Sequence, residues 1–242
     1  IENNPDDFGC DNGLATTGRI LMPVTVYRNA SASCIRGILG HELFHHVEYR
    51  YADNGGESGC SGVWGKTTCE GQARALQDKI YLDLDLDPEA SCVAPYLGEV
   101  NNYLGSPNQP LWSASYKSAL WWTYLMEQYG TVTAEPQRGS DFLAHWWIDA
   151  EDTIEHPNAF SITDRTIDLV APADSVVNAF HDFTIANVAK DFDLSATSAN
   201  FRNRYSYRDE EPVPGEDNEQ DYTPVPFTAD VIVPNAGSRE VA

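Results

Sequence analysis

His41-Glu42-Leu43-Phe44-His45 sets two imidazoles four residues apart, with a carboxylate beside the first. Residues at that spacing on an α-helix differ by about 40° in direction and about 6 Å in rise. Both imidazoles can therefore meet one Zn²⁺ at about 2.0–2.1 Å. Glu42 lies next to that face and can take a proton from water acidified by the ion, without itself being a ligand. The competing reading is a chance pentapeptide on an ordinary helix. The apolar, helix-compatible setting of SCIRGILGHELFHHVEYRY weighs against it.

A catalytic zinc needs a third protein ligand and one open position. His46 points roughly 100° away from His45, which suits packing better than ligation. Glu48 has nearly the right azimuth but lies about 10.5 Å along the axis from His41, too far for a straight helix to wrap around one tetrahedral ion. Asp53 sits in the loop just beyond. Glu70 is the favoured candidate: it opens the next helix, after a loop long enough to bring that helix antiparallel to the first. Gly71 and Ala73 beside it are small enough for two helices to approach closely. Its competing role is that of a stabilising acid at a helix N-terminus.

The elements that must position these residues follow from pattern and punctuation. GRILMPVTVY (18–27) is apolar and partly β-branched, and predicts a strand. Helices are predicted over 33–51, with Ser33 as N-cap, and over 69–82, 111–129, 140–151 and 174–192. Gly130 would end the third of these at C′, and Asp174 or Ser175 would cap the last. Residues 208–242 are rich in acids and prolines and predict an extended tail or linker, within which FTADVIV suits a terminal strand. The expected architecture is α+β and mostly helical: a single domain over 1–207 with a small N-terminal β portion and a helical C-terminal part, followed by the tail.

The chain has 242 residues with a net charge of −22, and 42% of its residues are hydrophobic. That hydrophobic fraction suffices for a core. The charge repels phosphate backbones and anionic lipids, so nucleic-acid and membrane-surface roles are not expected. No run approaches the ~18 apolar residues that span a bilayer. Of the five cysteines, Cys60 and Cys69 flank a Gly-rich loop and could close a bridge; Cys10 and Cys34 form a second plausible pair, leaving Cys92. None stands in a C-x-x-C pair, and an oxidising compartment is expected.

With these residues in hand, the chain resembles the gluzincins, zinc metallopeptidases whose third ligand is a Glu on a downstream helix. His41, Glu42 and His45 match their first motif, and Glu70-Gly71-Gln72-Ala73 is similar to the second. Secreted bacterial metallopeptidases with an E-[AG]-x-A second motif are the most similar. Tyr116-Lys117-Ser118-Ala119 resembles the Tyr-initiated helix of the gluzincin aminopeptidases, whose Tyr hydroxyl helps hold the oxyanion. The resemblance implies a zincin-like fold, Zn²⁺ on His41, His45 and Glu70, Glu42 as general base, and Tyr116 as oxyanion donor. It also departs in places. Arg74 stands where the thermolysin-type motif has an Asp supporting a zinc histidine, so that carboxylate must come from elsewhere, with Asp78 as a candidate. No segment like G-x-M-E-N precedes the zinc helix, which argues against aminopeptidase specificity.

Other constellations weigh less. The pairs Trp121-Trp122 and Trp146-Trp147 read as helix-packing aromatics rather than a cleft lining. Asp53/Glu57 and Asp83/Asp85/Asp87/Glu89 offer hard oxygens for Ca²⁺ but lack EF-hand spacing, so solvated acidic loops are favoured. His145, Tyr103 and Tyr124 are secondary candidates for oxyanion support. The expectation is a secreted, monomeric zinc endopeptidase acting on peptides or proteins. A noncatalytic adhesin-like module on the same fold and an exopeptidase are the alternatives.

Overall fold

The apolar stretch after residue 18 contains Pro23, which has no N–H to give to a strand ladder. The computed structural model describes residues 14–16, 19–22, 24–29, 32–51, 65–80, 93–134, 137–152, 158–190, 192–207, 222 and 224–226. In it this stretch is divided. Strand β1 (Leu14–Thr16) pairs antiparallel with β2 (Arg19–Leu21), Leu14 opposite Leu21, and helix α1 (Val24–Asn29) follows. The strand expected over 18–27 is therefore corrected to a three-residue one, and the hairpin is the whole of the β structure among the described residues.

The rest is mostly helical. Helix α2 (Ala32–Tyr51) holds Ser33 inside it rather than at its cap. Helix α3 (Lys66–Ile80) starts a turn earlier than expected, so Glu70 lies in its second turn and is no N-terminal acid. Helix α4 (Val93–Leu104) was not expected from the sequence; its Tyr96, Val100, Tyr103 and Leu104 are buried. The single helix expected over 111–129 is broken. Two 3₁₀ turns, Leu111–Ser113 and Ser115–Ser118, precede α5 (Ala119–Tyr129), and Ser115 at φ 49° makes the break. Gly130 ends α5 in extended backbone, not in the left-handed conformation expected of a C′ glycine. Its need for no side chain is steric: a Cβ there would lie 2.3 Å from Cα of Gly139.

Helices α6 (Ser140–Asp152), α7 (Ala159–Val170), α8 (Val176–Ala189) and α9 (Ala199–Tyr205) complete the bundle. The side chains of Asn158, Ser175 and Ser198 accept from the backbone N–H groups of Ser161, Asn178 and Phe201, which satisfies donors that a helix start leaves open. Ser175, not Asp174, is the cap of α8.

Helix α3 is the hub, packed against α2, α4, the 3₁₀ turns and α5. All four tryptophans of the two adjacent pairs are buried. Three of them use the indole N–H as a tie: Trp122 to the Thr67 carbonyl at 3.0 Å, Trp147 to Gln72 Oε1 at 2.8 Å, and Trp146 to Thr163 Oγ1 at 2.9 Å. Two of those partners are on α3. Farther along, Lys79 Nζ donates to Glu127 Oε1 at 3.0 Å in a buried ion pair that ties the end of α3 to α5. A charge pair this deep adds little net stability while intact, because desolvation offsets the attraction, but losing one partner leaves a buried charge uncompensated.

The tail expectation needs one amendment. Most of 208–242 lies outside the described residues, but Tyr222 and Val225 are buried in the core, and the Tyr222 and Tyr96 hydroxyls share a hydrogen bond at 2.8 Å. No described helix is long and apolar enough to cross a membrane.

Candidate metal centre

Helix α2 buries the wrong residues for a plain amphipathic helix. His41, Glu42 and Glu48 are buried, while Leu43 and Val47 are exposed. Burying ionisable groups in place of Leu and Val costs free energy unless they are paired or bind an ion. The partner they face is α3, and the residue it presents is Glu70.

Three side chains meet there: His41, His45 and Glu70. The two Nε2 atoms are 3.1 Å apart. Glu70 Oε2 lies 3.5 Å from Nε2 of His41 and 3.3 Å from Nε2 of His45. Three ligands at 2.0–2.1 Å from a tetrahedral zinc are separated by about 3.3–3.4 Å, so the spacing suits such an ion. Glu70 Oε2 is buried without a hydrogen bond of normal geometry, as an oxygen reserved for a metal would be. Two imidazoles and a carboxylate form the donor set of a catalytic zinc site, although imidazoles also serve copper, iron and nickel.

Electrostatics couples the three. Burial pushes His41 down to about 4, against the pull of Glu70. Burial acts on His45 in the same sense, but its hydrogen bond to Glu48 and the negative charges of Glu48 and Glu70 overcome it and raise His45 to about 10. Burial also pushes Glu48 up to about 8, with His45 opposing. The two groups meet in one hydrogen bond, Glu48 Oε2 to His45 Nδ1. For Glu70, the two imidazoles outweigh burial and hold the carboxyl below its usual range, which keeps it an anion.

Glu48 accordingly acts through His45. It is fully buried, and its Oε2 is 2.6 Å from His45 Nδ1. A carboxylate there fixes the tautomer so that Nε2 faces the ion. Glu48 stays outside the ligand cluster, as its distance along the helix implied, and it, rather than Asp78, is the carboxylate that meets a histidine of the cluster. The signal was in the sequence, because residues three apart on a helix are neighbours.

The 3₁₀ turn brings Tyr116 to the same place. Its ring stacks on His41, with centroids 5.9 Å apart. The turn is held by Ser118, whose Oγ donates to the Thr67 carbonyl at 2.6 Å, one turn before Glu70. Gly71 makes this approach possible: a Cβ there would sit 2.1 Å from Ser118 Oγ and 2.8 Å from Trp122 Cδ1. Gly71 thus lets α3 close on the Tyr116 turn and α5, not on α2 as its sequence position suggested. Arg74, one turn beyond Glu70, lies with its Cζ 4.8 Å from the Tyr116 ring centroid. Its place in the site was missed; the sequence showed only that an Asp was absent there.

The remaining candidates fall elsewhere. His46 packs on Tyr49. His145 is exposed on α6. Tyr103 stacks on Phe183, and the Tyr124 hydroxyl donates to the Arg204 carbonyl. Asp53 and the acidic stretch over 83–89 lie outside the described residues, as do Cys10, Cys60 and Cys92. Cys69 is buried and disulfide-bonded.

No family model, no curated protein and no solved structure matches the chain.

Proposed function

We propose that the chain is a secreted zinc-dependent peptidase of gluzincin type on a zincin-like fold, most simply an endopeptidase. The observation that carries this is the meeting of His41, His45 and Glu70, drawn from two successive helices, at separations that suit one tetrahedral ion. A zinc ion bound there supplies Lewis-acid polarisation of a carbonyl and lowers the pKa of water. The chain's own residues do the rest.

Glu42 is buried on the turn that carries His41, and a carboxylate there serves as general base. It takes a proton from the attacking water as the water oxygen bonds to the scissile carbonyl carbon. It then returns that proton to the amine nitrogen as the C–N bond breaks. Tyr116, stacked beside His41, donates a hydrogen bond to the carbonyl oxygen as negative charge grows on it. With an ion bound, Glu48 would accept from Nδ1–H of His45 and so leave Nε2 to the ion. The bonded Cys69 supports an oxidising, extracellular setting.

Digestion of casein or gelatin by the purified protein, with and without a chelator, tests the reading. Chelator-sensitive cleavage restored by zinc is expected. A zinc-loaded protein that cleaves neither substrate would favour the noncatalytic module instead.

A further inference from the structure

We propose that Arg74 is an anion-recognition residue of the candidate site, and that it receives a carboxylate of the substrate within about two residues of the scissile bond. The inference rests on the peptidase reading and deepens it by naming what the substrate must carry.

A guanidinium taken out of water ordinarily faces a carboxylate in a fork of two hydrogen bonds, because a buried charge without one is costly. Arg74 is only 7% exposed. Among the described residues no carboxylate lies within ion-pair distance of it. Its one hydrogen bond among the described residues runs from Nη1 to the neutral amide oxygen Gln77 Oε1 at 2.5 Å. Its Nε is buried with no partner. The face of the Tyr116 ring 4.8 Å from Cζ attracts the cation but takes no N–H. The Nε/Nη2 edge, the side of a guanidinium that accepts a carboxylate in bidentate fashion, has no hydrogen-bond partner among the described residues.

The surroundings explain why such a cation is tolerated, and why it is free to serve a ligand. Glu99, Glu70 and Glu42 offset its charge from a distance. A divalent ion on His41, His45 and Glu70 would engage the Glu70 carboxylate and leave less of its charge to offset Arg74. The placement suits a peptide. Arg74 follows Glu70 by four residues on one helix face, about 6 Å along the axis. An extended peptide covers about 3.3–3.6 Å per residue, so a group held by Arg74 stands about two residues from one held at the triad. The carboxylate can be the substrate's C-terminus or an acidic side chain, and the test separates them.

The test measures binding by calorimetry on the zinc-loaded Glu42→Gln protein, in which peptides are not consumed. The probes are acetyl-trialanine with a free C-terminus, the same peptide amidated, and amidated acetyl-Ala-Glu-Ala. At least one carboxylate-bearing peptide is expected to bind about tenfold or more tighter than the neutral amide, the gain of one well-placed charged hydrogen-bonded pair. A gain with the free C-terminus points to cleavage near chain ends; a gain with the Glu side chain points to an acid-preferring endopeptidase. Adding Arg74→Gln should bring the ratio to near one, and adding Arg74→Lys should leave an intermediate value. Equal affinities for all three probes when Arg74 is present overturn the proposal, whether or not the Arg74 variants fold. Binding of none of them overturns the proposal and the peptidase reading together.

Discussion

Glu48 Oε2 lies 2.6 Å from Nδ1 of His45, with the carboxylate wholly buried one helical turn from the imidazole it orients. The two residues are on the same helix, so this geometry is set by α2 alone and does not depend on how α3 docks. Replacing the carboxylate by the isosteric amide, Glu48→Gln, removes the charge that makes the imidazole a better donor. Metal affinity should fall about 10–100-fold. Competition with a chromophoric chelator measures this, and an unchanged affinity would remove Glu48 from the site.

Gly71→Ala should destabilise the protein. The new methyl meets Ser118 Oγ at 2.1 Å and Trp122 Cδ1 at 2.8 Å, so α3 or the Tyr116 turn must shift. Overpacking of this kind costs about 1–3 kcal/mol, read as a lower urea midpoint. Ser118→Ala in the same background removes the nearest atom, so the double variant should lose less than the sum of the two single losses. Strict additivity would contradict the contact.

The site was legible in the sequence where its residues share one helix. His41, Glu42 and His45 are fixed by helical spacing, and Glu70 was favoured from its place after the loop, although α3 starts a turn earlier than the polar residues suggested. What could not be read is what tertiary contact decides. Nothing local announces that Ser115 breaks the helix expected over 111–129 and so swings Tyr116 toward His41. Helix α4 was obscured by Gly98 and Pro95, whose low helix propensity is overridden by the burial of Tyr96, Val100, Tyr103 and Leu104. Helix α9 is short, with no residue fully buried, and lacks a periodic signal. The tail composition argued against burial, yet Tyr222 finds Tyr96, a pairing 126 residues apart that no window of sequence contains.

Glu42→Gln should lower turnover of a peptide substrate about 10²–10⁴-fold while metal content stays at the wild-type level. The amide keeps the shape of the carboxylate but cannot accept the proton. Turnover above a tenth of wild type would contradict the general-base role.

Tyr116→Phe separates packing from hydrogen bonding. The ring and its contacts with His41 and Arg74 remain, so metal content should not change. Turnover should fall about 10²–10³-fold, or about 2.7–4 kcal/mol, with little effect on KM. Wild-type turnover would leave Tyr116 as a packing residue only.

The central claim is that His41, His45 and Glu70 hold one catalytic metal ion, and elemental analysis of the purified protein beside Glu70→Ala tests it most directly. Glu70 presents its Oε2 to both imidazoles at 3.3–3.5 Å, and its loss leaves two ligands on α2. One zinc per chain is predicted for the wild type and a small fraction of that for the variant, with the wild-type melting temperature falling on chelation because the ion binds only the folded chain. Full zinc occupancy in Glu70→Ala, or no metal in the wild type after exposure to zinc, would contradict the account.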